Sequence, residues 1–328
     1  MSTVGAKKKS FQWFDFLYKY GTLITIAVLI IFFGLATDNF FTTTNITNIL
    51  RSISIVTIIA VGLTVSLSVG GFDLSVGSTA SLANAVVISM FVWHSQNIGV
   101  SILVALVVCI IIGLLNAFLV TSFKIQDMLM TLATMFVIQG IALTYTRGAT
   151  ISKNMIMPSG DYAPGSIPKI FGQLGKVPWI IIIMFVVVIL VHIFLTYTKH
   201  GRYMYMIGGN PEAAKLSGIP VRKYRYLAYG LAAIFAGIGG IILGARVMTA
   251  EVNAGAPYLM DAVAAAFIGY SVLGSGKPNA FGTFIGAVLI GILSSGLIML
   301  SVPYYAMDIV KGSVLALALG ITYYKRKH

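Results

Sequence analysis

The chain has 328 residues, of which 58% are hydrophobic and only 9% charged, against about 25% charged in soluble domains. Such a balance excludes a soluble globular protein and leaves one membrane domain spanning 1–328. The formal charge of +13 would suit nucleic acid, but the Lys and Arg residues sit in gaps between apolar runs, not along one aromatic-studded stripe, so no nucleic-acid partner is expected.

Lys7, Lys8 and Lys9 precede the first apolar run near Gly21–Thr37. More runs follow and no small-residue cleavage site stands out, so this segment is expected to stay as an anchor. A crossing needs about twenty residues, and further spans are expected near Ile53–Phe72, Leu74–Val92, Ile98–Thr121, Met128–Thr146, Val177–Thr198 and Tyr226–Ala245. The second and third of these come from one uncharged stretch, Asp73 to Lys124, that must turn back at His94-Ser95-Gln96-Asn97. Cys109, the single cysteine, lies inside it and reads as a packing residue, with no metal-ligand spacing anywhere. The last third offers Ala262–Gly274, Asn279–Ser301 and Tyr304–Tyr324, separated by Gly276-Lys277-Pro278 and Val302-Pro303. The expectation is an all-α integral membrane protein with about ten transmembrane helices.

Lys7–Lys9, Lys124, the cluster from Lys199 to Arg225, Lys277 and Lys325–Lys327 fall on one side if these helices alternate. The positive-inside bias makes that side, with both termini, cytoplasmic. The loop carrying Arg147, Lys153, Lys169 and Lys176 then lies outside, where a long loop obeys the bias less strictly, and Trp93 and Trp179 fit an aromatic belt there. A shift of 178 residues sets Gly62 on Gly240, Asp73 on Glu251, Gly77 on Gly255 and Gly113-Leu114-Leu115 on Gly291-Ile292-Leu293. With the second and seventh helices starting on opposite sides, helices 2–5 and 7–10 are expected to be two inverted repeats with a transport path between them.

The cytoplasmic loop 199–225 contains Gly208-Gly209-Asn210-Pro211-Glu212-Ala213-Ala214-Lys215-Leu216-Ser217-Gly218. Asn210 suits an N-cap, Pro211 the first helical position, Glu212 the positive end of the dipole and Gly218 a left-handed C-terminal cap. A short helix capped at both ends can serve as a rigid lever for a partner, or be an ordinary interfacial helix. Glu212-Ala213-Ala214 followed by Gly218 resembles the EAA coupling loop of ATP-binding cassette importer permeases. The longer segment, with Gly70-Gly71-Phe72-Asp73-Leu74-Ser75-Val76-Gly77-Ser78, resembles the ribose-type branch of that family. The resemblance runs from about Phe40 to the C-terminus. It implies a permease of the vitamin B12-permease-like type in a bacterial plasma membrane. It also implies a homodimer, or a pairing with a similar permease, working with a cytoplasmic ATPase that binds ATP and Mg and with an extracytoplasmic sugar-binding protein.

Asp73 is a path residue or a helix cap, and Asn84, Asn116 and Gln139 are amides for a hydroxyl-rich substrate or for interhelical bonds. Asp308 and Lys311, three apart, are expected to neutralise each other, with a coupled-ion site as the alternative. Glu251 and Asp261 bracket the eighth span as contacts for the delivery protein or as hydrated carboxylates. Gly274-Ser275-Gly276-Lys277 lacks the spacing and the Ser or Thr of a phosphate loop, so no cofactor is expected in this chain. The leading expectation is the permease of a monosaccharide importer, with ribose heading the list through the resemblance, and an ion-coupled secondary transporter of a small polar solute is the alternative.

Overall fold

The computed structural model describes residues 11–157, 159–272, 276–303, 305–313 and 316. Its helices are α1 (Phe11–Ala36), α2 (Thr43–Ser68), α3 (Val76–Val92), α4 (Ile98–Phe123), α5 (Asp127–Thr146), α6 (Lys169–Gln173), α7 (Trp179–Tyr197), α8 (Lys199–Gly209), α9 (Pro211–Leu216), α10 (Val221–Val247), α11 (Ala256–Ser271) and α12 (Ala280–Met299). Residues 305–313 are helical too, and most of the expected span Tyr304–Tyr324 lies outside the described residues. Six helices, α2, α4, α5, α7, α10 and α12, are long and apolar enough to cross a membrane, while α3, α11 and residues 20–36 of α1 are shorter apolar helices. Extended structure among the described residues is limited to isolated bridges. One of them, Ile151 with Ala250, ties the long loop after α5 to the segment after α10.

Some boundaries differ from expectation because apolar runs measure bilayer depth, whereas caps set helix length. The second span was expected to begin at Ile53, yet Thr42 caps α2 by accepting from the Asn45 amide at 3.3 Å. Arg51 therefore lies two turns inside the helix, its Nε buried without a partner among the described residues. α11, which falls where the eighth span was expected, begins at Ala256, six residues before the expected Ala262, because Pro257 occupies the first turn, where its missing N–H costs nothing. The loop 199–225 is mostly helical, comprising α8, α9 and the first turn of α10.

α2 is buried without interruption from Ile53 to Val69, α3 is buried from Val76 to Ser89, and α10 packs against α2, α3 and α4. α4 and α7 are instead buried along one stripe only. In α4 the buried side carries Ser101, Ala105, Cys109, Ile112, Asn116 and Val120, while Leu103, Val107, Ile111, Leu114, Leu115 and Phe118 are exposed. A helix apolar all round with its largest side chains outward is built to meet lipid. Its small residues face the protein and allow close packing: Cys109 fits against Gly237, where a Cβ would come within 2.7 Å of its sulfur.

The 178-residue periodicity reappears in the helix bounds. Shifted by that amount, 43–68 of α2 becomes 221–246 against 221–247 for α10, and 76–92 of α3 becomes 254–270 against 256–271 for α11. The paired helices cross antiparallel: Gly62 lies against Phe235, whereas Ile59 lies against Gly239. At the centre, Gly77 backs onto Leu259 and its counterpart Gly255 backs onto Ser81, whose hydroxyl accepts from the Gly255 amide at 2.9 Å. A 178-residue shift exchanges these two contacts, as a pseudo-two-fold axis passing between them would. Neither glycine has room for a side chain, since a Cβ on Gly255 would overlap the Gly77 carbonyl.

Candidate functional site

A six-residue helix is too short to persist on propensity alone, because nucleation fixes several residues before the hydrogen-bond ladder compensates. α9 is held by its ends. Asn210, in extended conformation, closes α8 by donating its amide to the Met206 carbonyl at 3.0 Å. Its side-chain Oδ1 then accepts from the Glu212 and Ala213 amides at 3.1 and 3.0 Å. Pro211 fills the first position, and Glu212 and Lys215 complement the dipole at opposite ends. At the C-terminus Gly218 takes φ +78°. The Gly218 amide reaches Lys215 O and the Ile219 amide reaches Ala214 O, both at 3.0 Å, which is the Schellman pattern. Asn210, Pro211, Glu212, Ala213, Ala214 and Gly218 thus form one continuous element.

Ala214 and Ile219 seat this element in the core, alongside Met204 and Ile207 of α8 and Val69 and Leu74 of the α2–α3 corner. Glu212 and Ala213 face outward, and Leu216 is 89% exposed. Two further contacts make α8 part of the scaffold. Gly208 lies on the backbone of the corner, where a Cβ would stand 2.5 Å from Ser68 O and 3.2 Å from Gly70 N. Tyr205 donates its hydroxyl to Pro278 O at 2.7 Å, in the loop between α11 and α12. Burial pushes the Tyr205 hydroxyl up to about 12, so it remains a donor across the physiological range.

The corner is the second part of the site. Gly70, at φ +72°, ends α2, and Asp73 is 1% exposed. Of the two roles open to Asp73, path residue or cap of α3, the cap goes elsewhere: the N-cap position belongs to Ser75. The Asp73 carboxylate accepts instead from the Ser75 amide at 2.9 Å and the Ser75 hydroxyl at 2.6 Å, a local turn that competes with the helix for the same oxygen. Asn116 of α4 donates to Ser75 Oγ at 2.8 Å, and Thr131 of α5 bridges the corner by accepting from Leu74 N at 3.1 Å and donating to Phe72 O at 2.9 Å. Four helices therefore meet at one buried polar knot.

Beside it lies a network absent from the sequence reading. Asp127, at the start of α5, accepts from Arg225 at 3.2 Å and from the Tyr229 hydroxyl at 2.6 Å, both on the first turns of α10. Gly71 passes directly beneath, and a Cβ there would lie 2.9 Å from the Tyr229 hydroxyl. A signal was available, since Asp127 is the only acidic residue between Asp73 and Asp161. Its partners lie 98 and 102 residues away, beyond any local pattern.

The remaining candidates are spread out. Asn84 sits nine positions beyond Ser75 in α3, about 13 Å along the axis, facing Gly244 of α10. Gln139 donates to Asn253 at 3.1 Å, eight positions beyond Thr131 in α5, about 12 Å along the axis. The Oδ1 atoms of Asn84 and Asn116 have no partner among the described residues. Glu251 is exposed. Asp261 is not a bracketing carboxylate but lies inside α11, where it pairs with Lys311 at 3.4 Å. The expected Asp308–Lys311 pair is thereby corrected: tertiary packing sets the lysine beside another helix's carboxylate in place of the one a turn away.

Apolar crossing helices around a buried polar knot, with a capped element projecting from one end, define a multi-pass membrane permease. The chain belongs to the family described as branched-chain amino acid transport system / permease component, whose model matches residues 45–319. It is similar to the ribose import permease protein RbsC of Escherichia coli (strain K12), with 36% identity over 92% of this chain and 93% of that protein. The Bacillus subtilis (strain 168) protein of the same name is 33% identical over 95% of each chain. The xylose transport system permease protein XylH of Haemophilus influenzae (strain ATCC 51907 / DSM 11121 / KW20 / Rd) is 30% identical over 93% of this chain and 96% of its own. No solved structure matches.

Proposed function

We propose that this chain is the membrane-spanning permease subunit of an ATP-driven importer for a monosaccharide, with ribose the first substrate to test. The observation that carries the reading is the end-to-end similarity to permeases named for ribose and xylose import, joined to a doubly capped α9 that presents Glu212, Ala213 and Leu216 outward.

In this reading the chain makes ten crossings in two inverted halves of the vitamin B12-permease-like type, with both termini cytoplasmic, and works as a dimer in the bacterial cell membrane. ATP and Mg are bound by a cytoplasmic ATPase that receives α9, and this chain carries no cofactor of its own. Motion of α9 reaches the transport path along two short routes. One runs through Gly208, seated on Ser68 and Gly70. The other runs through Ile219 and Pro220 into α10, which Arg225 and Tyr229 tie to α5. Rigid elements joined by close contacts transmit displacement, and the polar knot at Asp73 and Asn116 is where it arrives. The sugar passes between the halves, where the unpartnered Oδ1 atoms of Asn84 and Asn116 are available to its hydroxyls. Gln139 belongs near the far mouth. The extracytoplasmic sugar-binding protein docks on that side, with exposed Glu251 a better contact than Asp261, whose charge is engaged by Lys311.

The test is purification of the tagged chain from its native membranes in mild detergent, with identification of stoichiometric partners by mass spectrometry, repeated with Glu212→Lys. Recovery of an ATPase that the substitution releases is the expected result. A chain that purifies without an ATPase overturns the reading and returns the ion-coupled transporter to first place, whereas an ATPase kept equally well with Glu212→Lys overturns only the seating of α9 on it.

A further inference from the structure

Between the α4–α5 turn and the start of α10 lies an open cavity of about 780 Å³, within the roughly 300–1,000 Å³ of pockets that hold small ligands. Lys124, Lys215, Arg222 and Arg225 line it, against the single carboxylate of Asp127. Asp127 is already engaged by Arg225 at 3.2 Å. Lys124 and Lys215 have no ion-pair partner among the described residues. Arg222 is held open-handed, its guanidinium 5.7 Å from the Tyr226 ring centroid and its Nη2 3.4 Å from both the Ser122 and Tyr226 hydroxyls. Three cations brought together without an anion repel one another, and a bound anion would relieve that repulsion.

We infer that this cavity binds the phosphate of an anionic phospholipid. A phosphate could come from a lipid or from solution, and the surroundings favour the lipid. Lys124 ends α4, and the residues leading up to it, Leu115, Phe118 and Phe123, are exposed apolar side chains on the side of α4 that faces away from the protein. Ile125, 39% exposed, continues this surface into the cavity wall. A headgroup phosphate among the cations would leave its acyl chains along α4, whereas a soluble phosphate would gain nothing from that surface. Basic pockets between transmembrane helices at the cytoplasmic interface are suited to acidic headgroups. Because the pocket borders α9, an occupied site would brace the coupling element from the membrane side. That placement rests on the orientation proposed above, whereas binding itself does not.

The test uses the full-length chain in neutral detergent. Phosphatidylglycerol, phosphatidylcholine and inorganic phosphate are titrated separately while the unfolding temperature is followed, which rises with occupancy of a native-state site. The variants are Lys124→Gln/Arg222→Gln and a control, Lys176→Gln, in the loop before α7. Phosphatidylglycerol is expected to stabilise the parent chain and the control. The double variant should need on the order of thirtyfold more lipid for half the effect, about fivefold per cation removed. Phosphatidylcholine should give no shift that the double variant loses. Native mass spectrometry of lipid retained on the parent and the double variant gives a second readout should the double variant prove unstable without lipid. Equal shifts from both lipids, or equal shifts in parent and double variant, overturn the site. Stabilisation by inorganic phosphate but not by phosphatidylglycerol overturns the lipid as its occupant. If the double substitution releases a co-purifying ATPase while leaving lipid retention unchanged, the cavity is a protein contact and the inference fails. Because the detergent measurement needs neither orientation nor partner, its failure leaves the importer reading standing, and failure of that reading leaves the lipid site standing.

Discussion

Asp127 offers the sharpest test of how α5 and α10 are joined. In Asp127→Ala the Arg225 guanidinium loses its carboxylate and the Tyr229 hydroxyl loses its acceptor. The ion pair is partly accessible, with side chains 22% and 15% exposed, so its loss costs less than the roughly 3–5 kcal/mol of breaking a fully buried pair, and about 1–2 kcal/mol is expected. Tyr229 is completely buried, and an orphaned buried hydroxyl adds about 1–3 kcal/mol. Asp127→Ala should therefore destabilise by about 2–5 kcal/mol. Asp127→Asn, which keeps an acceptor for Tyr229 and gives up only the charge, should cost about 1–2 kcal/mol. Cys109 supplies the assay, being the only cysteine and fully buried between α4 and α10. A thiol-reactive dye in a detergent titration reports when that interface opens. Equal effects of the Ala and Asn substitutions, or a loss below about 1 kcal/mol for Ala, would show that the network does not hold these helices together.

Gly208→Val sets a branched side chain against the Ser68 and Gly70 backbone, which cannot move aside without shifting the corner. Overpacking of this kind costs about 1–3 kcal/mol, and reconstituted transport should fall more than co-purification of the ATPase; parallel losses would contradict a transmitting role. Lys311→Ala, which strands Asp261, should lower stability by about 1–2 kcal/mol, while Asp308→Ala stays within about 0.5 kcal/mol. A reversal of that order, read by the same Cys109 labelling, would restore the helical pair expected from spacing.

The local features were legible in the sequence. Each cap of α9 depends on residues within one turn, so Asn210, Pro211 and Gly218 could be assigned from the string, and the structure realises each. Long apolar runs announce crossing helices because lipid leaves no other way to satisfy the backbone. The 178-residue shift was also visible, and the helix bounds follow it closely. Harder to read was where an apolar run stops being a helix, as with Arg51, because hydropathy is silent about capped extensions beyond the bilayer.

By itself, then, the sequence determined that the chain is a membrane protein, where most of its helices lie, and that a capped element interrupts them between Thr198 and Val221. Only the tertiary structure decided that α2, α3 and α10 form the centre while α4 and α7 face outward, because in lipid a leucine toward a neighbour and a leucine toward an acyl chain are nearly equivalent and hydropathy cannot tell them apart. It alone decided the polar partnerships too: Asp127 with Arg225 and Tyr229, Asp261 with Lys311, Asn116 with Ser75. A buried charge pairs with whichever opposite charge packing brings within about 3 Å, and packing joins residues from a few dozen to about a hundred positions apart that share no local pattern.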